Sequence, residues 1–118
     1  MYVTVKCNQN LIIGDVVSFN EQNQKWQKAT ALTEEISVVK TIPAHDELNN
    51  IYTCKIIVSG IARVFASQDI PIQGGQLNIN DGKVFVDNSL VESPGFIVPK
   101  DINEADRTAG SQIVIVIR

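Results

Sequence analysis

The sequence predicts an all-β chain, a compact barrel or sandwich built from two pseudo-repeated β-units about 60 residues apart. Three features predict it. Short runs alternate apolar and polar residues between Gly, Asn, Asp and Pro, the signature of half-buried strands and their turns. No apolar stripe recurs at helical spacing for long enough to support a helix; Thr33-Glu34-Glu35 and Asn103 to Arg107 offer single turns at most. Finally, Leu11-Ile12-Ile13-Gly14-Asp15-Val16-Val17-Ser18-Phe19 returns sixty positions later as Pro71-Ile72-Gln73-Gly74-Gly75-Gln76-Leu77-Asn78-Ile79.

Taken in order, Tyr2/Thr4/Lys6 alternate with Val3/Val5/Cys7, a period of two and hence a first strand. Asn8-Gln9-Asn10 turns the chain into the glycine corner at Gly14, where a residue without Cβ reaches positive φ at no steric cost. Asp15 to Phe19 alternates again, the polar run Asn20 to Gln24 reverses it, and Lys25 to Ala29 returns as the second arm of a hairpin. The second unit repeats this plan. Its reversal is the tight Asn80-Asp81-Gly82-Lys83, where Asp-Gly fits a type I′ turn needing positive φ at both central residues. Val84 to Asp87 is its returning arm.

Further on, Ile36 to Ile42 aligns with Phe96 to Ile102 at the same spacing. Polar connectors follow at Pro43 to Asn50 and Asn103 to Gly110, and each feeds a β-rich run, Tyr52 to Val58 and Gln112 to Arg118. Ser59 to Ala66 joins the halves and parallels the first strand, with Arg63 and Phe65 at the places of Val3 and Val5. The chain therefore reads as one domain, residues 1–118, with an internal repeat of 1–60 and 61–118. Each unit is a β-motif unable to bury its apolar face alone.

Composition narrows the function. A net charge of −3 and ten scattered Lys and Arg give no basic face to track phosphates, so nucleic acid is not the expected partner. The longest apolar run, Ile113 to Ile117, is far too short for a membrane-spanning helix, and the first residues lack a signal-peptide plan. Synthesis in the cytoplasm is the expectation, with no membrane partner. Cys7 and Cys54 are the only cysteines; without metal-ligand spacing they read as buried, reduced thiols rather than a zinc site or a disulfide.

No residue carries a convincing catalytic signal, and no cofactor, metal or catalytic residue is predicted. His45, the only histidine, lies in a polar connector without a nucleophile in view. Asp15, Asp69, Asp81 and Asp87 each sit in or beside a turn, where a carboxylate favours local hydrogen bonds over a glycosidase pair. Gly74-Gly75 lacks the helix that a phosphate loop requires. Trp26 reads first as core or interface packing.

Two runs do not suit an isolated small domain. Ile113-Val114-Ile115-Val116-Ile117 is apolar on both faces, and Ile56-Ile57-Val58 nearly so. A strand covered on one side shows a polar outer face, so these runs call for cover on both sides. The sequence therefore predicts a homo-oligomer, with Ile113, Ile115, Ile117, Ile56 and Val58 at the interface.

Gly14-Asp15-Val16-Val17, its hairpin and the returning Lys25-to-Ala29 arm resemble small phage capsid-decoration and head-fibre proteins. The run ending Val58-Ser59-Gly60, the second corner with Asp81-Gly82-Lys83 and the closing Gln112-to-Arg118 strand extend the likeness across nearly the whole chain. The resemblance implies a non-enzymatic structural protein of a virion. It would be assembled as a trimer or similar oligomer on the capsid surface, with the major capsid protein or another virion protein as its partner. Two other classes compete: a carbohydrate-binding module using Trp26, Tyr52 or Tyr2 as platforms for host or glycan attachment, and a small hydrolase needing convergent carboxylates in a cleft.

Overall fold

The computed structural model describes residues 1–32 and 35–118, so the turn expected at Thr33-Glu34 lies outside the described residues. Eleven strands form among them: β1 (Tyr2–Cys7), β2 (Val16–Asn20), β3 (Lys25–Lys28), β4 (Ser37–Val39), β5 (Ala44–Asp46), β6 (Ile51–Ile57), β7 (Gly60–Phe65), β8 (Gly75–Asn80), β9 (Lys83–Val86), β10 (Gly95–Ile97) and β11 (Gln112–Ile117). No helix forms among the described residues, and Asn103 to Arg107 takes a turn and then an irregular path.

The strands make a six-stranded and a five-stranded sheet packed in a sandwich-like fold. The first runs β1-β3-β2-β4-β6-β5, and β1 also pairs with β6, so the sheet closes on itself. The second runs β7-β11-β10-β8-β9 and closes in the same way. Closure uses one parallel contact in each sheet: Cys7 opposite Trp26 in the first, Ala66 opposite Val84 in the second. The following backbone N–H completes both seams, Asn8 donating to the Trp26 carbonyl at 3.0 Å and Ser67 to the Val84 carbonyl at 2.8 Å. The fold is thus two small barrels of one topology, the first carrying β5 as an extra strand.

Strand register fixes which residues correspond. Tyr2 faces Ile57 and Val38 faces both Ile57 and Val16; in the second barrel Ile61 faces Val116, and Phe96 faces both Val116 and Gln76. Tyr2 therefore corresponds to Ile61, Val16 to Gln76, Val38 to Phe96 and Ile57 to Val116. The uniform offset read from the sequence holds only for β2 and β8. The first hairpin turn, Glu21 to Gln24, contains two more residues than Asp81-Gly82, and the later strands slip accordingly. Val98 matches Lys40 rather than Val38, and Ala62 and Val64, not Arg63 and Phe65, stand where Val3 and Val5 do. The Asp81-Gly82 turn is type I′ as its sequence demands, with φ of 47° and 77°.

Both barrel interiors use corresponding residues. Cys7, Leu11, Val17, Val39, Cys54 and Ile56 fill the first; Ala66, Ile70, Leu77, Ile97, Ile113 and Ile115 take the same places in the second. The second core then continues across the joint, because Val16, Ala29, Ile36 and Val38 of the first barrel belong to it. These residues lie on the outer face of the first sheet and are nonetheless buried, since the second barrel covers them. The docking element is the Asp81-Gly82 turn: Val16 N–H donates to the Gly82 carbonyl at 2.9 Å and Gly82 N–H to the Ala29 carbonyl at 2.7 Å. Phe65 completes the contact by packing over Gly14.

Candidate functional site

The five residues expected at an interface lie elsewhere. Ile113, Ile115, Ile117 and Ile56 are at most 4 % exposed, in the cores of this chain's own barrels, and Val58 packs half-buried against the first core. Their alternation is real, but the isoleucines take the inward face. What remains outside on β11 is Val114 and Val116, half-buried, in a row with Ile61 (72 % exposed), Phe96 and Val98. The physical basis of the oligomer expectation, a strand apolar on both faces, thus moves to the opposite side of the same strand.

Part of that outer row has a covered counterpart. In the first barrel Val38, the counterpart of Phe96, is 1 % exposed and Ile57, the counterpart of Val116, packs half-buried beneath the second barrel, whereas Tyr2, the counterpart of Ile61, is 51 % exposed. In the second barrel the same position lies open, and the notch that would admit a docking turn is occupied. Gln76 N–H, the counterpart of Val16 N–H, donates to the Asn88 side-chain oxygen at 3.0 Å where its counterpart binds the Gly82 carbonyl. A further barrel therefore cannot add in the same way. The row offers side chains, not a main-chain socket.

The aromatic platforms separate. Trp26 and Tyr52 flank Cys7 from its two neighbouring strands, half-buried against the first core. Trp26 meets Phe19 with ring centroids 5.7 Å apart and planes tilted by 58°. Tyr52 meets His45 at 5.0 Å and 44°. Neither pair is coplanar. Phe19, 42 % exposed, marks the hairpin end that is free in the first barrel; its counterpart in the second, Ile79, is 4 % exposed at the joint.

The titratable groups are dispersed over separate turns. His45 Nε2 lies 3.1 Å from the Asn50 side-chain oxygen. Asp15 accepts the Ile12 N–H at 3.0 Å and braces the first glycine corner, while Asp69 accepts the Ala109 N–H at 2.9 Å. Hydrogen bonds from the Ser89 hydroxyl and the Asn78 amide hold the Asp87 carboxyl below the usual range; the Asn49 side chain and backbone do the same for Asp46. A cleft of about 300 Å³ at the joint gathers Glu35, Ser37 and Arg118 over Val58, Pro94 and Ile117. It brings together neither a carboxylate pair nor a histidine with a nucleophile.

The two thiols share the first barrel's interior. Cys7 and Cys54 hydrogen-bond to each other, and burial pushes both up, Cys54 to about 12. A thiol whose folded pKa is raised stabilises the fold below its unfolded value near 9 and loses that contribution as pH climbs from there towards 12. Stability to urea is expected to fall across this alkaline window, and a Cys54→Ala chain to fall less steeply. Thiol-specific reagents at pH 8 should leave both cysteines unmodified until the barrel unfolds.

Two features had no sequence signal. Arg107, 5 % exposed, donates through its guanidinium to the carbonyls of Val98, Pro71 and Ile72, while its buried Nε has no partner among the described residues. An arginine in a polar connector reads as solvated until the fold closes around it. Second, Lys40 and Lys55 converge on Tyr2, their ammonium nitrogens 3.5 and 5.5 Å from its ring centroid. Only the pairing of β1 with β6, across some fifty residues, brings them together. No family model, curated protein or solved structure matches the chain.

Proposed function

We propose that the chain is a non-enzymatic structural protein of a phage virion, assembling with copies of itself on the capsid surface to stabilise the shell or present a surface for attachment. One observation supports it most. Phe96 and Val116, whose counterparts Val38 and Ile57 pack beneath the second barrel, stand on the outer face of the second barrel in one apolar row with Val114 and Ile61. An apolar row on an open sheet face, its centre matched by covered residues in the same chain, has the character of an interface, since stable assemblies bury surfaces resembling a core cut in half. A rotationally symmetric oligomer, a trimer by preference, would cover it without leaving an open end.

Light scattering on the purified chain should give a mass above one copy, and the chain should co-sediment with capsids. Val116→Arg places a charge on the outer face of β11, away from the core, so the barrels should still form while self-association weakens at least tenfold. A Val116→Arg chain that associates as wild type would remove the row from the interface. Association without capsid binding would leave the oligomer standing and reject the virion role.

A further inference from the structure

We propose that Tyr2, Lys40 and Lys55 form a binding site for an oxyanion, a sulfate or phosphate group, on the outer face of the first barrel. Lys40 N–H donates to the Lys55 carbonyl at 2.8 Å, which makes them neighbours across the β4–β6 boundary with both side chains exposed. Tyr2 reaches the same place from β1, since its register partner Ile57 lies two residues beyond Lys55. The Lys40 ammonium stands over the Tyr2 ring at 3.5 Å, within the range where the negative face of an aromatic attracts a cation. The ring thereby holds one ammonium in place, and Lys55 brings the second to 5.5 Å from the same centroid.

The internal repeat shows that the fold does not require this arrangement. Ile61 corresponds to Tyr2, Val114 to Lys55 and Val98 to Lys40, with the Val98 N–H donating to the Val114 carbonyl as Lys40 does to Lys55. The same place on the second barrel is therefore aliphatic. Beyond the contact with the Tyr2 ring, two like charges gathered at one place gain nothing for the barrel. Neither forms an ion pair with a carboxylate among the described residues, although the chain is acidic overall. An oxyanion engaged by both ammoniums offsets their like charge and takes donors from each, since each ammonium offers three. On an exposed sheet a single such group binds weakly. A polymer carrying many of them gains by repeated engagement, and salt weakens it. The site is separate from the β11 outer row and stands whether or not the chain assembles on a capsid.

The test compares dextran sulfate, inorganic sulfate and inorganic phosphate by amide and side-chain chemical-shift titration at low ionic strength. Shifts are expected to centre on Tyr2, Lys40 and Lys55, with dextran sulfate binding most tightly per sulfate if the natural source is a polymer, and phosphate if it is a free ion. Lys40→Gln with Lys55→Gln should weaken binding at least tenfold, and raising salt should weaken wild-type binding. Tyr2→Leu, which leaves both charges but frees the Lys40 ammonium, should show an intermediate loss. Lys83→Gln, on the second barrel's hairpin, should bind as wild type. Undiminished binding by the double lysine variant, shifts centred elsewhere, or no binding of any of the three anions would overturn the site.

Discussion

Replacing Gly74 by alanine is expected to destabilise the chain by about 3–5 kcal/mol, the sum of a strained backbone and a forced displacement of packed atoms. The added Cβ would lie 2.1 Å from the Ile97 carbonyl oxygen and 3.0 Å from the Val98 carbonyl carbon. Both are backbone atoms in or beside β10, so no rotamer change relieves the clash. Gly74 also has φ of +67°, where an alanine is strained even in open space. Nor does the corner move freely: Gly74 N–H donates to the Pro71 carbonyl at 3.0 Å, and the next residue is already in the ladder opposite Ile97. Gly60→Ala and Gly110→Ala separate the two contributions. They have φ of +92° and +89° with nothing within 4 Å of the added Cβ, so only backbone strain remains, about 1–2 kcal/mol. Urea unfolding of the three variants measures the difference. Equal losses would mean that the Gly74 corner yields without disturbing β10.

That corner was legible in the sequence and its tightness was not. Apolar approach, glycine and alternating run are all local, so the all-β class, the Asp81-Gly82 turn and the repeat could be read from spacing alone. Which residues correspond depends on hairpin length. Two additional residues between Asn20 and Lys25 shift the later strands, so that Lys40 stands opposite a valine in the other barrel and not Lys100. Burial at β11 departs from the sequence expectation for a related reason. Period two separates Ile113, Ile115 and Ile117 from Val114 and Val116 but does not say which set faces inward when both are aliphatic. At the joint the usual rule fails altogether: Val16 and Val17 point to opposite faces of β2, yet both are fully buried, one beneath the second barrel and one inside the first. Long-range pairing also decides the Tyr2 site, whose three residues are individually unremarkable surface choices for a strand.

Arg107 shows how the two barrels solve one problem differently, and its removal should cost about 1–3 kcal/mol, the magnitude typical of leaving one buried polar group without its partner. In the first barrel the connector after β4 stays on the sheet: β5 pairs with Ile51, Tyr52 and Thr53 of β6, and ladder hydrogen bonds satisfy its backbone. The second barrel has no such strand. Its connector swings back instead, and the Arg107 guanidinium ties the end of β10 at Val98 to the corner at Pro71 and Ile72. The Arg107 carbonyl accepts the Ile70 N–H at 2.8 Å, so connector and corner are bound in both directions. Arg107→Met keeps the aliphatic stem and removes every donor; the Val98 carbonyl loses this partner at about 1–3 kcal/mol, while the Pro71 and Ile72 carbonyls keep the Gly74 and Lys100 N–H groups. Arg107→Lys keeps the charge without the planar fork that spans two separate carbonyls, and should recover only part of the loss. Because no carboxylate among the described residues is involved, the destabilisation should be the same at low and high salt, unlike that of a surface ion pair. Hydrogen exchange gives the local readout: protection should be lost first at Ile70 and at Lys100, whose N–H donates to the Ile72 carbonyl at 2.8 Å. If Arg107→Met retained wild-type urea stability and protection at both amides, the connector would be held by something other than this carbonyl cage.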